Sequence, residues 1–166
     1  MKRPILKLKK ERLDIILEGS AFLMLSLTWL MVIIQYRGLP DVIPTHFNAV
    51  GEADNWGSKG FIFVLPMVAL VLSVLMNKIA DLPHLHNYSV KITEENAEEK
   101  YRKSARFLRT TILWMNVVFF FLVILILKSI GPSRGKIGFW VLPLIFISLA
   151  LLVGIGAYYI NRKSTN

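Results

Sequence analysis

The sequence predicts an all-α integral membrane protein with four transmembrane helices and both termini in the cytoplasm. Two observations carry this prediction: the apolar composition, and the uneven placement of lysine and arginine. The chain has 166 residues, of which 54% are hydrophobic, and its mean hydropathy is +0.52. A soluble domain of this size could not cover so much apolar surface. We therefore treat residues 1–166 as a single membrane domain.

Four long, uncharged and mostly apolar runs account for this composition. They cover residues 19–36, 60–77, 110–127 and 137–161. At about 1.5 Å per residue, a run of about 18 residues spans roughly 27 Å, which is close to the hydrocarbon thickness of a bilayer. Only helices cross lipid in single segments of this length, because every backbone group must be hydrogen-bonded within the segment. With their polar ends, the predicted helices lie at about 15–36, 60–79, 94–128 and 137–161.

The basic residues predict which ends of the helices face the cytoplasm. Of the 20 lysines and arginines, six precede the first helix, seven lie between positions 78 and 109, and two follow the fourth helix. The two remaining loops hold only five. Because cytoplasmic loops are enriched in Lys and Arg, the loop at 37–59 is the outer loop and the loop at 80–93 is cytoplasmic. The same distribution explains the net charge of +9, so membrane lipid is an expected partner and nucleic acid is not.

The third helix is expected to begin in the cytoplasm, with Thr93 as its N-cap and glutamates in its first turn. Arg102, Arg106 and Arg109 then fall on roughly one face and lead into the apolar run. We expect these arginines to extend to the lipid headgroups. The alternative is that they form a docking surface for a cytoplasmic regulator.

The outer loop carries the densest group of polar and conformationally restricted residues in the chain. A loop that only joined two helices would need neither its length nor its chemistry. Its prolines fix φ, its glycines supply turn positions, and polar side chains lie between them. We therefore predict a ligand-binding surface formed by Pro44, His46, Asn48, Gly51, Asp54, Trp56 and Lys59.

His46 and Asp54 leave three interpretations open. They can hydrogen-bond across the loop and hold its shape, bind a metal ion together with Glu52, or act as a general base and its orienting carboxylate. No nucleophile motif accompanies them, and the chain has no cysteine, which excludes disulfides and Cys-based metal sites. We accordingly predict no catalytic residue and no cofactor, with His46 and Asp54 as candidate metal ligands. The protein is expected not to be an enzyme.

The outer loop resembles a known bacterial family. The pattern that carries the likeness is Leu39-Pro40 … Ile43-Pro44-Thr45-His46-Phe47-Asn48 … Gly51 … Asp54 … Trp56-Gly57-Ser58-Lys59. It resembles the signature of the N-terminal membrane domain of SdpI-type immunity proteins. The stretch Asn87-Tyr88 … Lys91-Ile92-Thr93-Glu94-Glu95-Asn96-Ala97 … Tyr101-Arg102 is similar to stand-alone members of that family.

The resemblance implies a multi-pass protein of the bacterial plasma membrane. Proteins of this type protect the producing cell against a secreted toxic peptide and capture a cytoplasmic repressor. It also implies that the shared working surface corresponds to Pro44, His46, Asn48, Gly51, Asp54 and Lys59.

Three functions follow as hypotheses. The leading one is recognition of an extracellular peptide, toxic or signalling, by residues 39–59 in an immunity or sensing role. The alternative is a metal-dependent membrane enzyme or transporter component that uses His46 and Asp54. The third is a structural or assembly factor, for which the outer loop would matter little.

Overall fold

The computed structural model describes residues 3–130 and 135–162, and this part of the chain contains four long helices. They are α1 (Arg12–Tyr36), α2 (Val64–Ala80), α3 (Ala97–Ile130) and α4 (Val141–Asn161). Between them lie the strands β1 (Val42–Phe47) and β2 (Ala53–Ser58) and the 3-10 helices Lys59–Phe63 and Pro83–Leu85. All four helices are long and apolar enough to cross a membrane, the second together with the 3-10 helix before it. The predicted mostly helical, four-span architecture is confirmed, with one small sheet added to it.

The helices alternate in direction, so their connections gather at two ends. Lys100 at the start of α3 donates a hydrogen bond of 2.8 Å to the carbonyl of Ile160 at the end of α4. At the opposite end, the amide of Ile137 donates to the carbonyl of Gly51 at 2.8 Å. We call residues 3–18, 81–109 and 162 the basic end, and residues 37–63 and 135–140 the hairpin end. The two ends hold the segments that the sequence assigned to the inner and outer sides of the membrane.

A small apolar core seats the strands on the helices at the hairpin end. Val32 of α1, Ile43 of β1, Ile62 of the 3-10 helix and Val123 of α3 are all at most 2% exposed and pack together. Since these residues come from four elements, their burial fixes the position of β1 relative to α1 and α3.

A buried amide joins three helices within the apolar layer, on the side nearer the basic end. Asn116 of α3 is 1% exposed; its Nδ2 donates to the carbonyl of Ala21 at 3.1 Å, and its Oδ1 accepts from the hydroxyl of Ser73 at 3.2 Å. Polar contacts of this kind commonly hold membrane helices together.

Arg109 carries the main charged contact of the basic end. Its side chain is only 6% exposed and bridges two elements: Nε lies 2.7 Å from Oε1 of Glu18 in α1, and Nη2 lies 2.8 Å from Oδ1 of Asp81, which follows α2. A buried guanidinium needs such partners, because an unpaired charge in this environment is costly. Arg109 thus joins the ends of α1, α2 and α3 at the basic end.

Arg102 and Arg106 extend this ion network along α1. Arg102 pairs with Glu11 at 2.8 Å, whereas Arg106 pairs with both Glu11 and Asp14, the latter at 3.2 Å. Asp14 is buried. The expectation was that these arginines extend to the lipid headgroups; in the structure they pair with the carboxylates of Glu11, Asp14 and Glu18.

Two helices begin later than the apolar and capping patterns suggested. The amide of Thr93 donates to Oδ1 of Asn96 at 2.9 Å, residues 94–96 form a turn, and α3 starts at Ala97. The fourth helix starts at Val141 rather than 137, since Gly138 adopts a φ of 94°, which is incompatible with a right-handed helix.

His86 is buried at the basic end, between the end of α2 and the start of α3. It is 8% exposed; Nε2 donates to the carbonyl of Ile79 at 2.8 Å, and Nδ1 accepts from the hydroxyl of Ser104 at 2.7 Å. The contacts therefore suit the neutral ring. Burial lowers the pKa of His86 below its ordinary value, with a smaller lowering effect from His84, and the hydrogen bond to Ile79 opposes the shift.

We expect Arg109→Met to lower the free energy of unfolding by about 3 kcal/mol, because it removes the buried cation that pairs with Glu18 and Asp81. Only Lys10 then remains beside them, at 2.8 Å from Glu18 and 3.9 Å from Asp81. Thermal unfolding of the purified protein in detergent measures this effect. Arg12→Gln is the matched control: it also removes one cation from the basic end, but Arg12 is exposed, so a change within about 0.5 kcal/mol is expected. Equal losses in the two variants would show that Arg109 does not carry the network.

We expect the free energy of unfolding to decrease as the pH is lowered below 6.5, the ordinary pKa of histidine, because His86 has a lowered pKa in the folded protein. The unfolded chain binds a proton there, whereas the folded protein, with its lowered pKa, binds it only at lower pH. The contribution of the neutral ring is thus complete above pH 6.5 and is lost between that value and the folded pKa, at up to about 1.4 kcal/mol per pH unit. The free energy of unfolding, measured at several pH values in this range, should depend less steeply on pH in His86→Gln than in the wild type, and as steeply in His84→Gln. An unchanged slope in both variants would contradict the account.

Candidate functional site

The outer loop folds into a β-hairpin. Strands β1 and β2 pair antiparallel, with Val42 opposite Ser58, Pro44 opposite Trp56 and Phe47 opposite Ala53. The pairing is irregular on both sides of His46. Such an irregularity locally redirects side chains, which is common at binding surfaces.

Asn48 and Gly51 build the turn of the hairpin. Oδ1 of Asn48 accepts hydrogen bonds from the amides of Val50 and Glu52, at 3.1 and 3.0 Å. The backbone amide of Asn48 also donates to the carbonyl of Glu52 at 2.8 Å, and its carbonyl accepts from the amide of Gly51 at 2.9 Å. Gly51 adopts a φ of 78°, and a Cβ atom there would lie 2.6 Å from the carbonyl oxygen of Gly138. Glycine is required for this conformation and this close approach.

A second segment lies along the outer edge of β2 and was not part of the predicted site. The amide of Ala53 donates to the carbonyl of Gly135 at 2.6 Å. Glu52 and Lys136 pair through their backbones as an isolated antiparallel β-bridge, and their side chains form an ion pair of 2.7 Å. The hairpin is therefore held from the α3–α4 connection as well as from α1 and α2. The glycines at 135 and 138 are the sequence signal for this, since two glycines so close together favour a non-helical segment.

The seven predicted site residues separate into a supporting group and an exposed group. Pro44 and Gly51 are buried, and the side-chain oxygen of Asn48 accepts hydrogen bonds from backbone amides of the turn. Lys59 pairs with Asp41 at 3.0 Å and lies 5.6 Å from the centre of the Tyr36 ring, so it fixes the base of the hairpin. These four residues give the hairpin its shape.

His46, Asp54 and Trp56 form the exposed group. Nδ1 of His46 lies 2.5 Å from Oδ1 of Asp54, and the two side chains are 67% and 44% exposed. Trp56 is 51% exposed and lies two positions after Asp54 in β2. The hydrogen bond across the loop that the sequence left open is present. The arrangement offers an ion pair or a polar hydrogen bond beside an aromatic surface.

The described residues supply at most two metal ligands here. Glu52, the third ligand considered, pairs with Lys136. Within residues 3–130 and 135–162, no cluster of three or more His, Cys, Asp or Glu side chains could hold a metal ion. His84 and His86 lie at the other end of the helices from His46.

An apolar cavity of about 240 Å³ lies beside β1, under the hairpin. Its walls come from β1, the 3-10 helix, α3 and α4. They include Pro44, Thr45, Phe47, Phe61 and Leu142. A cavity of this size and lining has room for an apolar side chain of a ligand.

The hairpin falls within the part of the chain that resembles known sequences. Residues 23–70 match the family described as a domain of unknown function, DUF1648, which is a membrane-associated domain. The match covers the second half of α1, the whole hairpin and the first turns of α2. An uncharacterized protein of Archaeoglobus fulgidus is 36% identical over 58 residues, which is 35% of this chain and 32% of that protein. No solved structure gives a significant match to the chain. The chain is thus a membrane-type protein with four apolar helices that carries a DUF1648 match over the second half of α1, the hairpin and the start of α2.

Proposed function

We propose that this chain is a multi-pass protein of the bacterial plasma membrane that recognises a toxic or signalling peptide with its hairpin, in an immunity or sensing role. The observation that carries the proposal is the exposed group of His46, Asp54 and Trp56 on a hairpin that is fixed from three sides. Preorganised surfaces bind with a smaller entropic cost than mobile loops.

The chemistry of the exposed group suits a peptide. Asp54 can accept from an ammonium or guanidinium group, and because Asp54 occupies Nδ1 of His46, a ligand would meet Nε2 of the ring. Exposed tryptophan is enriched among the residues that dominate binding energies at protein interfaces. The apolar cavity beside β1 would accommodate an apolar side chain of the same ligand. Toxic peptides that act on membranes present both kinds of group.

The charge distribution and the SdpI-type pattern also support the proposal. Cations concentrated at the basic end favour a cytoplasmic location for that end, which leaves the hairpin outside, where secreted peptides are met. The resemblance to SdpI-type immunity proteins supplies the immunity role, and capture of a cytoplasmic regulator by the basic end would belong to the same proposal.

The alternative proposal is a metal-dependent membrane enzyme or transporter component that uses His46 and Asp54. The short contact between the two side chains is its support, since a histidine is often oriented by a carboxylate in metal and catalytic sites. Elemental analysis of the purified protein separates the two proposals. A stoichiometric metal that disappears in His46→Ala would favour the alternative.

The test expresses the chain in a bacterium that is sensitive to the secreted peptide of an SdpI-type system and lacks its own immunity protein. We expect the wild-type chain to protect the cells. Cells that express the double variant His46→Gln with Asp54→Asn should be killed by about 30-fold less peptide, because a central binding contact is worth about 2 kcal/mol or more. Survival against peptide concentration is the measurement, with membrane levels of each variant checked by immunoblot.

Asp41→Asn is the matched control for this test. Asp41 is 95% exposed at the same end, so its pair with Lys59 contributes little, and Lys59 keeps its contact with the Tyr36 ring when the pair is removed. The substitution therefore removes one carboxylate charge without touching the exposed group. We expect it to protect like the wild type. Protection that is absent in the wild type, or equal in all variants, would overturn the proposed function.

A further inference from the structure

We propose that a cavity at the basic end binds the phosphate of an anionic phospholipid. The cavity has a volume of about 310 Å³ and lies between the N-terminal segment, the end of α2 and the start of α3. Its charged lining residues are Lys7, Lys9, Lys10, Asp14, Asp81, Arg102 and Arg109. The proposal concerns the opposite end of the molecule from the hairpin and does not rest on the proposed function.

The lining carries an excess of positive charge. Five of its charged side chains are cations and two are carboxylates, which gives a net charge of +3. Both carboxylates already have cationic partners: Asp14 lies 3.2 Å from Arg106, and Asp81 lies 2.8 Å from Arg109. An anion entering the cavity would therefore meet mainly lysine ammonium groups.

Lys7 and Lys9 are the cations left for such an anion. Lys10 pairs with Glu18 at 2.8 Å, but Lys7 and Lys9 are exposed and form no ion pair with any carboxylate of the described segments. Lysine is a compact charge that binds phosphate well.

The segment that carries these lysines is held in place by its backbone. The hydroxyl of Tyr101 donates to the carbonyl of Pro4 at 2.9 Å, and Arg102 donates to the carbonyl of Lys9 at 3.2 Å. Arg3 donates to the carbonyl of His86 at 2.6 Å. The two lysines are thus positioned between fixed points on α3 and on the 81–88 loop. The backbone that carries the two lysines is therefore held by hydrogen bonds on one side of the cavity.

The level of the cavity along the helices favours a lipid as the source of the phosphate. The uncharged run of α1 begins just after Glu18, that of α2 ends at Asn77, three residues before Ala80, and that of α3 begins just after Arg109. Ala80 and Arg109 line the cavity directly. A bilayer covering these runs would place its headgroup phosphates at this level, and basic pockets between helices at such a level bind anionic headgroups.

The experiment measures lipid binding to the full chain, purified in a non-ionic detergent, by native mass spectrometry. Short-chain phosphatidylglycerol, short-chain phosphatidylcholine and inorganic phosphate are titrated separately. We expect phosphatidylglycerol to bind more tightly than the other two ligands. We also expect Lys7→Gln with Lys9→Gln to weaken its binding about tenfold or more, because each lysine near a lipid surface contributes about fivefold in affinity.

Lys78→Gln with Lys91→Gln is the matched control, since both lysines are exposed at or beside the basic end and neither lines the cavity. A change of less than about threefold is expected there, as for a diffuse charge effect. Equal weakening in the two double variants, or no weakening in either, would overturn the cavity as the site. Inorganic phosphate that binds as tightly as phosphatidylglycerol would overturn the lipid as its occupant.

Discussion

The buried ion pairs of Arg109 are the interaction on which the rest of the structure depends. One guanidinium reaches Glu18 of α1 and Asp81 after α2, so a single side chain sets the level of three helices. At the hairpin end the helices α1 and α3 meet again through Val32 and Val123, which pack with Ile43 of β1 and Ile62 of the 3-10 helix. The ion pairs and this apolar core thus hold α1 and α3 together at both ends.

The same charges give the molecule its polarity. Cations and their carboxylate partners are concentrated at the basic end, where they form a network and leave an excess of positive charge in the cavity beside the N-terminal segment. The hairpin end has few cations, and two of them, Lys59 and Lys136, are each paired with a carboxylate of the hairpin region. One end is thus suited to an anionic membrane surface, while the other presents a rigid polar and aromatic face. The two proposals place a lipid headgroup at the first and a peptide at the second.

The sequence predicts the elements of this fold better than the contacts between them. Uncharged runs of membrane length identify the four helices because lipid imposes that length locally. The partners of Arg109 could not be predicted in this way, since they are 91 and 28 positions away. In the site, the prolines and glycines predicted an ordered loop. The hydrogen bond between His46 and Asp54 was one of the three interpretations that the sequence left open. The prolines and glycines did not reveal that Lys136 would support the hairpin, because the apolar pattern after it looks like the start of a helix.

The central claim is that the hairpin faces outward and the basic end faces the cytoplasm. The chain has no cysteine of its own, so single cysteines test this directly. Val50→Cys lies at the exposed tip of the hairpin, and Ser89→Cys lies at an exposed position of the basic end. A thiol reagent that cannot cross membranes should label Val50→Cys in intact cells, and Ser89→Cys only after the membrane is opened. Labelling of Ser89→Cys alone in intact cells would contradict the account.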